Sequence, residues 1–276
     1  MKVPFYKCNS KGNSFIIIFL STKLLSLKSN KIINICNSID NQRVDGLILL
    51  DIIDNSNIAT MNYYNNDGTW ETFCLNGTIC CSLILKEKKL YFHNIETGSG
   101  LYGIKVMKNN LVQVELPRPI NMEFNKSKNY GEDGKNKFDS ILIEGFKCYY
   151  INSGAKHIVI KSNDDILFED DLKLEKILKK IRYNKLFLPD GVNINIYRYK
   201  AVDTIQVKTY EKGVEAMMTS CSSGSYACAY HYYHCYKKSY KIKILNDGGT
   251  SEVIFKDNKN LFLSKGEIEY KGELDI

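Results

Sequence analysis

The sequence feature that most constrains the fold is a cysteine–glycine motif that occurs once in each half of the chain. Both copies have the spacing C-x-x-G-x-x-x-C, one from Cys74 to Cys81 and the other from Cys221 to Cys228. In each half a strand pattern and a polar turn precede the first cysteine, and a helical pattern follows it. The repeat therefore predicts two related domains that face each other across a pseudo-two-fold axis.

Strand patterns outnumber helical patterns along the whole chain. Apolar or alternating runs typical of strands occupy residues 15–20, 46–50, 58–64, 111–116, 141–150, 158–160, 192–199, 204–209 and 240–245. Helical patterns occupy residues 32–37, 77–88, 172–181 and 223–236. Many strands with a few helices between them favour a mixed α/β (α+β) fold over a doubly wound parallel one.

A polar segment near the midpoint marks the expected domain boundary. Residues 121–137, NMEFNKSKNYGEDGKNK, contain two glycines and almost no apolar side chains, which is typical of a loop or linker. The length of 276 residues agrees with two domains, because a domain averages roughly 150 residues.

The composition argues against several classes of partner. Lys and Arg total 38 against 31 Asp and Glu, but the basic residues form only short pairs, without a nucleic-acid-binding motif, so we expect no nucleic acid partner. The longest apolar run, 15–20, is far shorter than the roughly 20 residues of a membrane-spanning helix. No signal-peptide cleavage site follows it. We therefore expect a cytoplasmic protein with no membrane partner.

The nine cysteines are an odd number in a chain without a secretion signal, so a disulfide framework is not expected. Two of them, Cys74 and Cys221, come directly before predicted helices. The N-terminus of a helix lowers the pKa of a thiol, and its free N–H groups bind carboxylates.

Two such helices facing each other could hold a substrate carboxylate, with one sulfur on each side of the neighbouring carbon. One thiolate would remove the α-proton, and the opposite thiol would deliver a proton to the other face. That step inverts a stereocentre without an electron-sink cofactor. The same spacing also fits two cysteines that only fill the core beneath the helix starts.

The residues around both cysteines resemble the signatures of the diaminopimelate epimerase family. Residues 65–77, NNDGTWETFCLNG, resemble N-x-D-G-S-x-x-x-x-C-G-N-G, and residues 211–224, EKGVEAMMTSCSSG, resemble E-R-G-V-E-x-E-T-x-x-C-G-T-G. Shorter matches follow in the family's order at residues 12–15 (G-N-D-F), 44–47 (A-D-G-L), 96–97 (E-T), 154–157 (G-x-P-H), 189–193 (P-x-G-x-N) and 262–267 (L-T-G-P-A). Matches in one order along nearly the whole chain identify it as a member of this family.

The resemblance implies a fold of two similar domains related by a pseudo-two-fold, each a mixed sheet around a central helix. The last strand returns to the first domain, so the implied boundaries are 1–118 plus 267–276 for the N-terminal half and 119–266 for the C-terminal half. It also implies a small amino acid as substrate, with neither pyridoxal phosphate nor a metal ion. A homodimer is left open, because family members are often dimers.

The resemblance further implies a role for each matching residue. Cys74 and Cys221 would transfer the protons, and His157 and Glu211 would set the protonation of the two thiols. The N–H groups that would bind the α-carboxylate belong to Leu75, Asn76, Ser222 and Ser223. The side chains that would hold the rest of the substrate are Asn13, Asn65, Asn193, Glu211 and Lys212.

Several departures from the family signatures concern the substrate pocket. Leu75 replaces a glycine and crowds a place of close approach. Lys212 replaces the arginine that grips the distal carboxylate, and lysine lacks the bidentate fork. Met217 and Met218 replace a Glu-Thr pair, which would turn a polar pocket wall apolar.

The leading expectation is the conversion of LL- to meso-diaminopimelate, a step of lysine and peptidoglycan biosynthesis. The departures motivate an alternative, a cofactor-independent racemase of another amino acid, for example histidine. A noncatalytic binding protein is the third option. The retention of both cysteines, His157 and Glu211 argues against it.

Overall fold

Most of the regular structure is β-strand, as the sequence predicts. The computed structural model describes residues 2–20, 27–38, 43–53, 57–122, 124, 138–236, 239–257 and 259–275. Numbered along the chain, the strands are β1 (Lys2–Ser10), β2 (Asn13–Leu20), β3 (Gly46–Ile53), β4 (Ile58–Asn65), β5 (Trp70–Glu71), β6 (Asn94–Thr97), β7 (Gly100–Val106), β8 (Leu111–Leu116), β9 (Ile120–Asn121), β10 (Ser140–Ile143), β11 (Phe146–Asn152), β12 (Lys156–Lys161), β13 (Asn193–Ala201), β14 (Thr204–Glu211), β15 (Ala216–Met218), β16 (Lys241–Asn246), β17 (Gly249–Phe255), β18 (Asn260–Lys265) and β19 (Glu267–Asp275). The α-helices are α1 (Ser29–Asn37), α2 (Leu75–Glu87), α3 (Asp165–Glu169), α4 (Asp171–Arg182) and α5 (Ser222–Tyr236). The mixed α/β fold class is confirmed.

The chain divides into two compact units. The first comprises Met1–Leu116, Gly248–Glu252 and Lys256–Ile276, and the second comprises Pro117–Asp247 and Val253–Phe255. The domain boundaries expected from the sequence return the chain to the first half at residue 267. In the structure, all residues from Lys256 onwards belong to the first unit. The reason is that β18 pairs antiparallel with β8, which belongs to the first unit.

Both units contain the same series of strands around a buried helix. In the first unit β2 and β3 pair in parallel and are connected by α1. Strand β4 then pairs antiparallel with β3 and with the short β5. Helix α2 follows, and after it β6 pairs in parallel with β4. In the second unit the series is β12, α3, α4, β13, β14, β15, α5 and β16, with the same parallel and antiparallel pairings. The cysteine motif therefore marks a repeat of the whole topology. The pseudo-two-fold relation between the units stays a prediction.

The first unit encloses α2. Every residue from Leu75 to Leu85 is buried, and a helix buried on all sides must be surrounded by other elements. Strands β1, β2, β4, β7, β8 and β19 contact it. The alternate side chains of β2 and β3, such as Ile16 and Leu47, pack instead with Ile32 of α1.

The second unit encloses α5 in the same way. Ser222 to Tyr232 are all buried, and the helix contacts β12, β13, β14 and β16. The other face of this sheet packs on α4 through Leu174 and Leu178, which meet Ile158 and Ile194 in one core cluster.

The helical and strand patterns predicted from sequence occur in the structure, with two qualifications. The run 141–150 is two strands, because Glu144 and Gly145 both adopt positive φ (51° and 80°) and turn the chain between β10 and β11. The predicted linker 121–137 falls outside the described residues except for 121, 122 and 124. Within the described part of the chain, no helix has the length and apolarity needed to cross a membrane.

Candidate active site

The first predicted cysteine lies where the chain enters α2. Cys74 directly precedes the helix with extended backbone angles (φ −138°, ψ 108°), and its side chain is half-buried. The Gly77 N–H donates a hydrogen bond to Cys74 Sγ over 3.4 Å. This is the N-cap position, where a side-chain acceptor satisfies an N–H of the first helical turn. The sulfur is therefore held by the backbone of its own helix, at the positive end of the helix dipole.

Predicted substrate-binding residues lie at this same helix end. Leu75 and Asn76, whose N–H groups are predicted to bind a carboxylate, begin the first turn. Asn76 Nδ2 donates to Asn13 Oδ1 over 3.3 Å, and the Ser10 hydroxyl lies 3.5 Å from Asn76 Oδ1. The structure thus brings Asn13 and Asn76 together.

Asn65 takes part in the turn that precedes Cys74. Its Oδ1 accepts the Tyr63 O–H over 2.8 Å, and its Nδ2 donates to Thr69 Oγ1 over 3.2 Å. The Thr69 hydroxyl donates in turn to Asp67 over 2.6 Å. These contacts order the N-x-D-G turn, so the motif has a structural role as well as its predicted role in binding.

The second predicted cysteine holds the equivalent place before α5 and is buried. Ser223 Oγ lies 3.5 Å from Cys221 Sγ and 3.1 Å from His157 Nε2. His157 lies on β12, and its complete burial lowers its pKa to about 3. The imidazole is therefore neutral near pH 7 and carries a proton on only one nitrogen. The structure places the three residues in one chain of contacts.

One member of this group is absent from the sequence-based prediction, Asn195 on β13. It is fully buried, and its Nδ2 lies 3.0 Å from His157 Nδ1. Its Oδ1 accepts the Thr209 O–H over 2.9 Å. The available signal was an asparagine between Ile194 and Ile196 in a buried strand, because a buried amide needs hydrogen-bond partners.

The turn after β14 carries the last predicted residues. Glu211 is the final residue of β14, and the Lys212 N–H donates to Asn193 Oδ1 over 2.8 Å. Glu215, which has φ 56°, forms an ion pair with Arg182 over 2.7 Å. Asn193 thus positions the backbone at Lys212, in addition to its predicted role in binding substrate.

The expectation that both methionines line a pocket wall is wrong for Met217. Met217 packs against the hydrophobic core of the second unit. Side chains alternate across a strand, so Met218 lies on the opposite face of β15. Only Met218 is left as a candidate for an apolar pocket wall.

The predicted site residues divide between the two units. The first unit holds Asn13, Asn65, Cys74, Leu75 and Asn76, and the second holds His157, Asn193, Glu211, Lys212, Cys221, Ser222 and Ser223. Each set combines a cysteine with the first N–H groups of a buried helix. Such a helix end can stabilise a thiolate and bind a carboxylate.

Comparison with known proteins finds relatives along nearly the whole chain. No family model matches it. The chain is 30% identical over 280 residues to a diaminopimelate epimerase from Flavobacterium psychrophilum, covering 98% of this chain and 99% of the relative. It is 29% identical over 269 residues to a diaminopimelate epimerase from a Hydrogenobaculum species, covering 93% and 92%.

Solved structures share the fold at low sequence identity. A phenazine biosynthesis protein of the PhzF family from Enterococcus faecalis is similar with a TM-score of 0.68 and 13% identity, over 100% of both chains. A probable proline racemase from Agrobacterium radiobacter K84 is similar with a TM-score of 0.68 and 12% identity, over 99% of this chain and 93% of that one.

Proposed function

Because this chain belongs to the diaminopimelate epimerase family, we propose that it is the isomerase that converts LL- to meso-diaminopimelate by inverting one α-carbon. The observation that carries the proposal is the equivalent placement of Cys74 and Cys221. Each directly precedes the buried helix of its unit, and the strands around the two helices follow the same series. Two equivalent thiols are what a two-base inversion requires.

In the proposed mechanism the first N–H groups of α2 and α5 bind the α-carboxylate of the substrate. One cysteine, as the thiolate, removes the α-proton, and the other, as the thiol, protonates the opposite face of the carbon. The negative charge that develops on the carboxylate would be stabilised by the N–H groups of these helix ends. The protein's partner is then a small amino acid, with no nucleic acid or membrane involved.

The second part of the proposal concerns the distal end of the substrate. Lys212 would supply one positive charge to the distal carboxylate, with Asn13, Asn65, Asn193 and Glu211 holding the rest of the substrate around it. A lysine binds a carboxylate as a point charge, without the paired hydrogen bonds of arginine. Weaker anchoring by Lys212, together with the apolar Met218 on β15, favours one alternative, racemisation of an amino acid with no distal carboxylate, such as histidine.

Proton exchange separates these possibilities. The protein is incubated in deuterium oxide with LL-diaminopimelate, and separately with L-histidine and other monocarboxylate amino acids, and the α-proton signal is followed by NMR. We expect the signal of diaminopimelate to disappear as the meso isomer forms. Exchange confined to a monocarboxylate amino acid would replace diaminopimelate as the substrate, and exchange of none would contradict an enzymatic role for the pair of cysteines.

A further inference from the structure

We propose that Asn195 is a positioning residue that fixes the tautomer of His157, so that the Ser223 hydroxyl donates its hydrogen bond to the sulfur of Cys221 and this cysteine rests as the thiolate. The inference rests on the proposed role of Cys221 as a base. It goes further by assigning the resting thiolate and naming the residues that set it.

The orientation of the Asn195 amide follows from its neighbours. Its Nδ2 lies 3.1 Å from the carbonyl oxygen of Ile158 and 3.5 Å from that of Asn193, and both oxygens can only accept hydrogen bonds. The reversed amide would set its own oxygen against both carbonyls and lose its contacts there. The oxygen therefore faces the Thr209 hydroxyl, and the NH₂ group faces His157.

The amide orientation decides which imidazole nitrogen carries the proton. Asn195 Nδ2 is 3.0 Å from His157 Nδ1, and an NH₂ group can only donate. The contact is a hydrogen bond only when Nδ1 has a free lone pair, because an Nδ1–H would meet a second donor. A neutral imidazole has one proton, which must then sit on Nε2.

The Nε2 proton sets the direction of the remaining contacts. His157 Nε2–H donates to Ser223 Oγ across 3.1 Å, so the serine hydrogen is not needed there. That hydrogen can be directed at Cys221 Sγ, 3.5 Å away. Each of the three contacts then donates towards the sulfur, and a hydrogen bond received by a charged group favours its charged form. The N-terminus of the 15-residue helix α5 acts in the same direction.

The packing leaves little freedom for Asn195 to move away from this position. A Cβ atom added to Gly224, in the first turn of α5, would lie within 2.8 Å of Asn195 Cγ and would overlap its side-chain oxygen. The glycine of the second C-x-x-G motif thus makes room for this amide. The second C-x-x-G motif therefore places Cys221 before α5 and also leaves room for Asn195. Asn195 orients the chain of hydrogen bonds that runs through His157 and Ser223 to Cys221, which we call the relay.

The first test reads the tautomer directly. Long-range proton–nitrogen NMR of protein labelled with ¹⁵N-histidine distinguishes Nε2–H from Nδ1–H, and a His157→Gln variant assigns the signal among the four histidines. We expect the Nε2–H form in the parent protein. The Nδ1–H form in the parent would overturn the inference without any variant at position 195.

The second test reads the sulfur. Iodoacetamide alkylation of Cys221 near pH 7, followed by peptide mass spectrometry, should slow by about tenfold in Asn195→Leu, a loss expected for a hydrogen bond to a charged group. Alkylation of Cys74 is the internal reference and should stay unchanged. Ser223→Ala should slow Cys221 equally but keep the Nε2–H tautomer, and Ser223→Thr should restore the parental rate.

These readouts separate the relay from general damage and from the proposed function. If Asn195→Leu does not fold, Ser223→Ala and Ser223→Thr test the same relay from its other end. Parental alkylation of Cys221 in Ser223→Ala, or no rescue by Ser223→Thr, would overturn the inference even if the enzyme epimerises diaminopimelate. Neither the tautomer nor the alkylation rate depends on turnover, so the absence of any amino acid exchange would contradict only the proposed function.

Discussion

The N-termini of α2 and α5 occupy equivalent places in two units of the same topology, yet their cysteines are held differently. Cys74 Sγ accepts a hydrogen bond from Gly77 N–H, three residues along its own helix. Cys221 Sγ faces Ser223, which leads to His157 on another strand of its unit. The repeat therefore preserves where each sulfur lies but not how its charge is supported. The contact described at Cys74 comes from its local backbone, whereas the contact described at Cys221 leads to distant side chains.

The same contrast holds for the two motif glycines. A Cβ at Gly77 would come within 2.7 Å of Ile48 Cδ1, the far end of a flexible side chain. A Cβ at Gly224 would meet the Asn195 amide, which is fixed by several hydrogen bonds. The glycine of the motif thus makes room for a flexible side chain in the first unit and for a fixed amide in the second.

The largest expected effect comes from removing either sulfur. Cys74→Ser and Cys221→Ser should each lower kcat for epimerisation by about 10³-fold or more. A serine hydroxyl is a far weaker acid than a thiol and is scarcely ionised at neutral pH, so it cannot act as the base, and general acid–base catalysis contributes about 10²–10⁴-fold. Steady-state kinetics with LL-diaminopimelate measure it. Cys80→Ser, at a buried cysteine inside α2, controls for altered packing. Near-parental turnover in either active-site variant would mean that the two helix ends do not share the chemistry.

Alanine at the two glycines should separate the two kinds of support. We expect Gly224→Ala to destabilise the protein by about 2 kcal/mol, because a buried amide loses hydrogen bonds, and to lower kcat by more than tenfold. Gly77→Ala should cost less than about 1 kcal/mol, because Ile48 can move and alanine favours the helix. Urea unfolding and kinetics on both variants provide the measurement. Equal losses of unfolding free energy in Gly224→Ala and Gly77→Ala would contradict the difference between the two glycine positions.

Acid should affect the two units in opposite directions through their buried titratable groups. Burial lowers the pKa of His157 and His231 in the second unit to about 3, below the ordinary value of about 6.5 for histidine, so the unfolded chain binds more protons between those values. The contribution of these histidines to stability is present above pH 6.5 and falls as the pH drops towards 3. The loss is at most about 1.4 kcal/mol per pH unit for each histidine. Burial raises the pKa of Asp45 in the first unit, so its contribution rises as the pH falls.

Hydrogen exchange at pH 6.5 and 4.5, corrected for the intrinsic rates, would measure this difference peptide by peptide. We expect protection to fall more in peptides from β12 and α5 than in those from β2 and β3. His231→Gln should reduce the loss in the second unit, since it removes one of the two histidines. Equal losses of protection in both units would contradict the assignment of these groups as the source.

The helices and the placement of both cysteines before them were predictable because they depend on local pattern and motif spacing, and His157 was predictable only from the resemblance to the family signature. Three features were not. The place where the chain returns to the first unit depends on which strand β18 pairs with, and strand pairing between distant segments leaves no local signal. The inward direction of Met217 depends on the register of β15 against β14. The contact of Asn195 with His157 depends on the register in which β12 and β13 pair His157 with Asn193. That register brings the side-chain amide of Asn195, two residues after Asn193, to the imidazole.

The smallest expected effect concerns where substrate selectivity lies. The two units depart from the family signatures at different places. The first departs at Leu75, in the first turn of α2, and the second departs at Lys212, in the turn after β14. We expect Lys212→Arg to raise kcat/KM for LL-diaminopimelate by several-fold up to about tenfold, because a guanidinium can donate two parallel hydrogen bonds to the distal carboxylate. The backbone there should be unchanged, since Lys212 N–H is held by Asn193 Oδ1. Lys173→Arg on α4, at an exposed position, is the matched control and should leave kcat/KM unaltered. An unchanged or lower kcat/KM in Lys212→Arg would indicate that this side of the site does not grip a carboxylate, and would favour a substrate that lacks one.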